Sequence, residues 1–299
     1  MNEIAVTGAN GMTGSHMIRV LKNKKIPFKA ITRKEWDLTE WKSFDEFDRI
    51  FDSVQAIFHM GAYVPSSIDI NDSQTQKVFD CNIRACLNLA EWATMKEIPI
   101  IFLSGSSVYK DPYALNINEN ANKASSGFGK NSAFGGYYGY SKVEAERIFL
   151  DFSLKGLKLI ILRPSSIYGY GLASEKLVQN FIDMASHGSK IKVNGPFNKI
   201  NLIHAYDVSN ACLNAYKSNS WGVYNIGSKK ISSIMEIAET AISISNRGDI
   251  EIVSNDDITS DFIRFDLDSG LATDNFGFNP DLSLKEGMTL MKQKSLAPC

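Results

Sequence analysis

The apolar run Ile4-Ala5-Val6 passes without a spacer into Thr7-Gly8-Ala9-Asn10-Gly11-Met12-Thr13-Gly14, and that turn opens a helical stretch over residues 14–21. A strand, a glycine turn and a helix in this order are the first half of a β-α-β unit, and they constrain what the rest of the chain can build. The rhythm continues. Strand-like runs at 28–32, 56–58, 98–103 and 157–162 alternate with helical patterns. The longest helical pattern, 71–95, keeps Val78, Ala85, Leu89 and Trp92 on one face by three- and four-residue steps. Residues 140–154 read as another helix. Continuous apolar strands separated by helices predict a parallel sheet covered on both faces, and right-handed crossovers make it a Rossmann-type doubly wound α/β fold.

The glycines have separate tasks in such a turn. Gly8 permits the tight reversal, Gly11 lets the backbone approach a pyrophosphate, and Gly14 lets the helix pack on the strand. The helix start then offers unpaired N–H groups and a positive dipole end to the phosphates. Thr7, Gly8, Asn10, Gly11, Met12 and Gly14 are therefore expected to hold a dinucleotide cofactor. The second strand chooses which one. NAD sites usually end it in Asp or Glu for the ribose hydroxyls. Here it ends Thr32-Arg33-Lys34, and a guanidinium at Arg33 suits a 2′-phosphate by charge and by bidentate geometry. Glu35 is a neighbouring acid that pulls the other way. The expectation is NADPH rather than NADH or NAD.

After Pro164 the elements shorten and mix, with turns at Asn194-Gly195-Pro196 and Phe278-Asn279-Pro280. The organisation expected is a dinucleotide-binding domain over 1–165, rejoined by 205–228, and a smaller interleaved C-terminal substrate-binding lobe over most of 166–299. The Gly/Ser/Asn-rich stretch 125–136 reads as a loop beside the site. With 44% hydrophobic and 22% charged residues, the chain can bury a sizeable core. A net charge of -1 provides no overall basic field for nucleic acid or an anionic membrane. No apolar run has the length of a membrane span, and the chain enters its first strand without a signal-peptide pattern, so a cytoplasmic protein is expected. Cys81, Cys86, Cys212 and Cys299 form no CxxC pair and no His/Cys cluster of metal-ligand spacing, so they read as free thiols and no metal is expected.

Tyr138-Gly139-Tyr140-Ser141-Lys142 places a tyrosine four residues before a lysine, on one helix face. An ammonium beside a phenol favours the phenolate and lowers the tyrosine pKa. A tyrosine tuned in this way exchanges a proton with a substrate oxygen while hydride moves on the other side. A surface Tyr and Lys at helical spacing would explain the pair in an arbitrary chain; the upstream glycine turn favours chemistry. Hydroxyls cluster after the fourth strand in Leu103-Ser104-Gly105-Ser106-Ser107-Val108-Tyr109.

The GxxGxxG spacing with its preceding Thr, together with YxxxK, resembles the extended branch of the short-chain dehydrogenase/reductase family. Further positions fit. Phe58-His59-Met60-Gly61-Ala62 resembles the FHLAA stretch that lines the cofactor, which assigns Met60, Gly61 and Ala62 to it. Asn82 stands where relatives keep an asparagine. Arg163-Pro164 with Tyr168-Gly169 resembles RPxxxYG, the 203–208 segment resembles IHVDDV, and Tyr224-Asn225-Ile226-Gly227 resembles YNIG. Arg264 with Asp266 resembles the C-terminal arginine that meets a substrate diphosphate. Residues 32–39 look like the corresponding stretch of the GDP-fucose synthase and dTDP-rhamnose reductase group, which use NADPH, and Asp37 and Leu38 are the pair that lies by the adenine in that group.

The resemblance implies an NADPH-dependent reductase of a nucleotide-linked 4-keto-6-deoxy sugar. Tyr138 would donate the proton, Lys142 would hold the cofactor ribose, and a serine would bind the ketone oxygen. It also implies a homodimer through the 71–95 helix and the helix beginning near Tyr140. Three departures stand out. The position four before Tyr109, where relatives keep the catalytic hydroxyl, is Gly105, so Ser104 or Ser106 must serve, and the Gly-Ser-Ser run favours Ser106. Ser107, a substrate-binding candidate, and Gly171 stand where epimerising relatives of the fucose synthase kind use Cys and His. Ile200 replaces an arginine, leaving Lys199 to supply charge from one residue away. Two alternatives remain: an NAD-dependent nucleotide-sugar 4-epimerase or dehydratase, and a non-catalytic cofactor-binding regulator. Arg33 counts against the first, and the intact Tyr138 and Lys142 against the second.

Overall fold

The apolar runs of the first half become strands whose alternate residues serve two different cores. In the computed structural model, which describes residues 3–65, 72–128, 132–253 and 262–298, β1 (Glu3–Thr7) leads through the glycine turn into α1 (Met12–Asn23). Then come β2 (Phe28–Ile31), α2 (Phe44–Ile50), β3 (Val54–His59) and α3 (Asp72–Phe79). A π turn (Asp80–Arg84) joins α3 to α4 (Ala85–Met95). β4 (Ile100–Leu103), a 3-10 turn (Ser106–Val108), α5 (Tyr137–Ser153) and β5 (Leu159–Pro164) follow. The second half runs β6 (Ser166–Tyr168), α6 (Leu177–Ser186), β7 (Lys190–Asn194), β8 (Lys199–Ile200), β9 (Leu202–His204) and α7 (Ala205–Lys217). It continues β10 (Gly222–Ile226), β11 (Ser232–Ser233), α8 (Ile234–Ser245), β12 (Asp249–Val253), β13 (Ile263–Arg264), α9 (Gly270–Phe276) and α10 (Leu284–Lys292).

The main sheet has six strands in the order β2-β1-β3-β4-β5-β10, and every pairing in it is parallel. The pleat sorts the side chains. Ile4, Val6, Ile101, Leu103, Ile160 and Leu162 face α1, α7 and α9 in one core. Ala5, Ile100, Phe102, Leu159 and Ile161 face α4 and α5 in the other. That second core is sealed by Trp36, Phe47, Phe51 and Trp92. A third core joins α6, α8, α10 and β7 into the smaller lobe. The topology returns β10 to the edge of the main sheet, and Ala272, Phe276 and Phe278 also pack on the first core. Among the described residues no helix is long and apolar enough to cross a membrane, and no His/Cys/Asp/Glu group is arranged to hold a metal.

Two helices differ from the periodic reading. The 71–95 stretch is broken by the π turn, which turns the Asn82 amide inward, where it brackets the backbone of Tyr63 (Tyr63 N to Oδ1 2.8 Å; Nδ2 to Tyr63 O 2.9 Å). Its apolar residues Val78, Ala85, Leu89 and Trp92 are all buried within this chain. The 140–154 helix begins at Tyr137. α2 is too short to show a period, yet Ser43 and Glu46 close a capping box at its start, as Ser233 with Glu236 and Ser283 with Glu286 do for α8 and α10.

One buried acid ties the C-terminal segment to this frame. Asp207, in the first turn of α7, accepts hydrogen bonds from Asp281 N (3.2 Å) and Leu282 N (3.4 Å), and burial pushes its pKa up to about 6. Because the folded chain holds this proton more tightly than the unfolded one, the group costs nothing at acid pH. Its contribution to stability falls as pH rises from the ordinary aspartate range through about 6. In denaturant melts, Asp207→Asn should therefore gain on wild type across that window, by about 3 kcal/mol at pH 7. A difference independent of pH would show that the carboxylate is not the cause.

Candidate active site

The carboxyl ends of the sheet strands open into a cavity of about 660 Å³ between the two lobes. Such a crevice is where open α/β sheets bind ligands. One wall is the glycine turn. Gly8 has φ +64°, and a Cβ there would lie 2.7 Å from Gly61 Cα. A Cβ at Gly14 would stand 2.2 Å from Gly8 O, so helix, turn and the segment after β3 meet only because these side chains are missing. Gly11 N donates to Gly8 O (2.8 Å). The first turn of α1 has neither a side-chain cap nor an acidic residue, so its N–H groups and dipole are uncompensated. This cradle fits a pyrophosphate. Met12, Met60 and Ala62 line the same wall, while Asn10 is exposed at the rim. Thr7 has a different place from the one expected. It is buried, its hydroxyl accepts from Met60 N and Gly61 N (both 3.1 Å) and shares a hydrogen bond with His59 Nδ1 (2.8 Å). It shapes the cradle from behind and is not part of the cavity lining.

The end of β2 is polarised. Glu35 folds back to accept from Thr32 N (2.8 Å) and Thr32 Oγ1 (2.6 Å), so the nearest acid is occupied. Asp37 holds its own turn through Thr39. Arg33 is 85% exposed, with only a 3.9 Å approach to Asp37. Leu38 packs against Gly61, which brings this strand end beside the glycine turn.

The opposite wall is the first turn of α5. Ser141 Oγ donates to Tyr138 O (2.7 Å) and accepts from Asn82 Nδ2 (3.1 Å), so the π turn pins the segment that carries Tyr138. Lys142 Nζ donates to Leu103 O (2.9 Å) and lies 4.8 Å from the Phe102 ring centroid and 6.0 Å from that of Tyr138. Burial brings Lys142 down to about 8 and pushes Tyr138 up to about 12. The expected lowering of the tyrosine by the lysine is not realised in this structure, because the ammonium is held at β4 and burial dominates at the phenol.

Ser104 Oγ donates to Glu146 Oε1 (2.5 Å), and Glu146 is clamped by Arg163 (2.6 Å) in a buried pair. The Ser104 hydroxyl is thus turned away from the cavity. This cluster joins Ser104 and Arg163, which the sequence offers in separate motifs, through Glu146 of α5. Arg264 lies over the rings of Phe134 (5.1 Å) and Phe262 (5.3 Å), and its buried Nε has no hydrogen-bond partner. The Lys199 expectation is corrected. β8 turns Ile200 into the cavity and leaves Lys199 exposed, by strand alternation. A cation that lines the cavity together with Lys142 and Arg264 is Lys176, at the start of α6, which sequence reading missed for want of a pattern. His204 is not in the lining. Its Nδ1 accepts from Tyr206 N (3.1 Å) as the cap of α7, and burial lowers it to about 3. Of the 125–136 loop, Phe134 and Gly135 reach the cavity, and residues 129–131 lie outside the described residues.

The sequence pattern of the NAD dependent epimerase/dehydratase family matches residues 4–227, and the chain belongs to that family. It is an NAD(P)-dependent enzyme of the extended short-chain dehydrogenase/reductase type. UDP-glucuronic acid decarboxylase 6 of Arabidopsis thaliana is 25% identical over 307 residues, covering 97% of this chain and 88% of that protein. The dTDP-D-glucose 4,6-dehydratase of Dictyostelium discoideum is 25% identical over 274 residues, covering 82% and 62%. Among solved structures, MoeE5 in complex with UDP-glucuronic acid and NAD superposes with a TM-score of 0.78 at 22% identity, covering 99% of this chain and 98% of that one. RMD from Pseudomonas aeruginosa complexed with NADPH gives 0.79 at 18% identity, covering 98% of each.

Proposed function

We propose that the protein is an NADPH-dependent reductase of a nucleotide-linked 4-keto-6-deoxy sugar. One observation carries this reading. Among the described residues, the cavity lining offers Tyr138, Lys142, serine hydroxyls and the cations Lys176 and Arg264, yet no carboxylate, histidine or cysteine. Dehydration, and epimerisation through an enolate, each need one group to remove a carbon-bound proton and another to deliver a proton. Reduction needs only a hydride source, a proton donor and a donor to the carbonyl oxygen. A reduced nicotinamide cofactor, which the glycine turn at Gly8, Gly11 and Met12 and Lys142 would hold, would supply the hydride. Tyr138, kept protonated at neutral pH by burial, gives its proton to the oxygen that receives negative charge. Lys176 and Arg264 suit the diphosphate of a nucleotide sugar.

A nucleotide-sugar 4-epimerase with bound NAD is the second reading. The same tyrosine and lysine suffice to pass a hydride out and back, and the family the chain belongs to is named for NAD-dependent epimerases and dehydratases. The end of β2 favours the reductase: its nearest acid is tied to Thr32, and Arg33 is exposed, with a loose 3.9 Å approach to Asp37 that leaves its guanidinium accessible to a 2′-phosphate.

The reductase should oxidise NADPH stoichiometrically when given UDP- or dTDP-linked 4-keto-6-deoxyhexoses, followed by absorbance. Tyr138→Phe should bind NADPH normally and lower that turnover by about 10²–10⁴. No NADPH oxidation, with interconversion of 4-epimers by the NAD-loaded protein, would establish the second reading instead. Cofactor titrations should show tighter binding of NADPH than NADH, and Arg33→Ala should abolish the difference; a preference that survives removes Arg33 from the site. Turnover in deuterated water should leave the carbons flanking the former ketone unlabelled. Label there above an enzyme-free control means that the protein enolises its substrate.

A further inference from the structure

Gly105 leaves a gap in the site, and the structure shows what stands beside it. The residue has φ 178° and ψ 161°, extended backbone that any residue adopts. Burial alternates along this segment. Ser104 and Ser106 are 5% and 3% exposed, whereas Gly105 and Ser107 are half-buried. In extended chain, successive side chains point to opposite faces. The direction of one is fixed, since Ser104 points into the protein at Glu146. Position 105 therefore faces the cavity; beyond it the chain tightens into the 3-10 turn of 106–108, where Ser106 and Ser107 both line the cavity, Ser106 almost fully buried and Ser107 half-buried. A Cβ built on Gly105 would have, apart from its chain neighbours, only Ser107 Oγ at 3.6 Å and Ser107 N at 4.0 Å within reach. The Ser107 hydroxyl thus sits next to the space that a side chain at 105 would fill. It lines the cavity with Tyr138 and has no hydrogen-bond partner among the described residues. The turn is also packed on the tyrosine segment: a Cβ at Gly139 would lie 3.0 Å from Ser107 O.

We propose that the Ser107 hydroxyl, rather than that of Ser104 or Ser106, is the donor that binds the substrate carbonyl oxygen beside Tyr138, in the place vacated by Gly105. The assignment rests on the reductase reading above. Hydride adds to the carbonyl carbon, the Tyr138 proton goes to the oxygen, and Ser107 donates a hydrogen bond without losing its proton. Placed there, it acts on charge that grows in the transition state, so its loss falls mainly on kcat.

Variants of the full chain test this with whichever UDP- or dTDP-linked 4-keto-6-deoxyhexose the wild type reduces. Ser107→Ala should lower kcat by about 10²–10³ while NADP⁺ affinity, read by fluorescence titration, stays within about twofold. Affinity of the keto sugar for the NADP⁺ complex, read by calorimetry, should fall by about tenfold. Ser107→Thr, which keeps the hydroxyl, should stay closer to wild type. Adding Gly105→Ser to Ser107→Ala should recover at least about tenfold in kcat, because it returns a hydroxyl to the same space. A Ser107→Ala loss below tenfold, or a larger loss in Ser106→Ala, overturns the assignment and leaves the reductase standing. A wild type that oxidises NADPH with none of the sugars overturns the reductase reading and this assignment together.

Discussion

The buried ion pair between Arg163 and Glu146 is the contact on which the geometry of the catalytic end depends. Arg163 ends β5, and Glu146 lies one helical turn beyond Lys142 on α5. The pair is bidentate, with Nε to Oε1 at 2.9 Å and the terminal nitrogen to Oε2 at 2.6 Å. Glu146 also receives the Ser104 hydroxyl from the end of β4. The other side of the guanidinium donates to Glu119 O (2.9 Å) and Tyr109 Oη (3.2 Å), and Tyr109 donates to Asn225 on β10 (2.5 Å). Three adjacent strands, one helix and the loop after β4 are thereby tied at one charge centre. A buried pair is weak evidence for stability, since desolvation offsets much of its attraction. Its value here is register. The helix that carries Tyr138 and Lys142 is held against the same strand ends that carry the serine turn.

Around this centre, absent side chains set distance as firmly as present ones. Gly14 and Gly8 bring α1 onto the end of β1, and Gly139 brings α5 onto the serine turn and the loop before α5, where a Cβ would lie 3.0 Å from Ser107 O and 2.3 Å from Phe134 O. The cofactor cradle and the proposed proton donor therefore approach the cavity from opposite walls, each fixed by backbone contact. Asn82 closes the arrangement from below. Its amide links the Tyr63 backbone to Ser141, and it reaches them because the helix widens into a π turn there.

Much of this was legible in the sequence because it is written in periods. The strands that build the main sheet alternate between two cores, and the glycine and Tyr-Lys spacings follow from turn and helix geometry. What was not legible depends on direction or on distant partners. Nothing in a two-residue strand shows that Lys199 turns out while Ile200 turns in. The sequence 104–107 does not reveal that the Ser104 hydroxyl turns into the protein until Glu146 captures it. The π turn has no periodic signature, and the Arg163–Glu146 pair forms only when β5 and α5 dock. The three capping boxes, by contrast, follow a pattern of Ser and Glu three residues apart that a search for helix starts can find.

The electrostatic state of the site follows from the same burial. Removing water disfavours charge on either group, so it pushes Tyr138 up to about 12 and Lys142 down to about 8. The phenol is left neutral at physiological pH, and the ammonium donates to the Leu103 carbonyl, with Cys86 and Glu146 favouring its charge. That state suits a donor at rest and is poor for a base. On the proposed reading, anionic ligands alter it from outside. A cofactor pyrophosphate at the start of α1 and a sugar diphosphate by Lys176 and Arg264 bring negative charge into a cavity whose described lining supplies none. Lys142 then gains a reason to keep its proton, whereas the phenol is pressed further toward its protonated form. The tyrosine gives that proton up only as hydride arrival makes the carbonyl oxygen a stronger base, so proton transfer is coupled to reduction and does not precede it. A cavity lined by carboxylates would hold its own negative charge without a ligand and would lose that coupling.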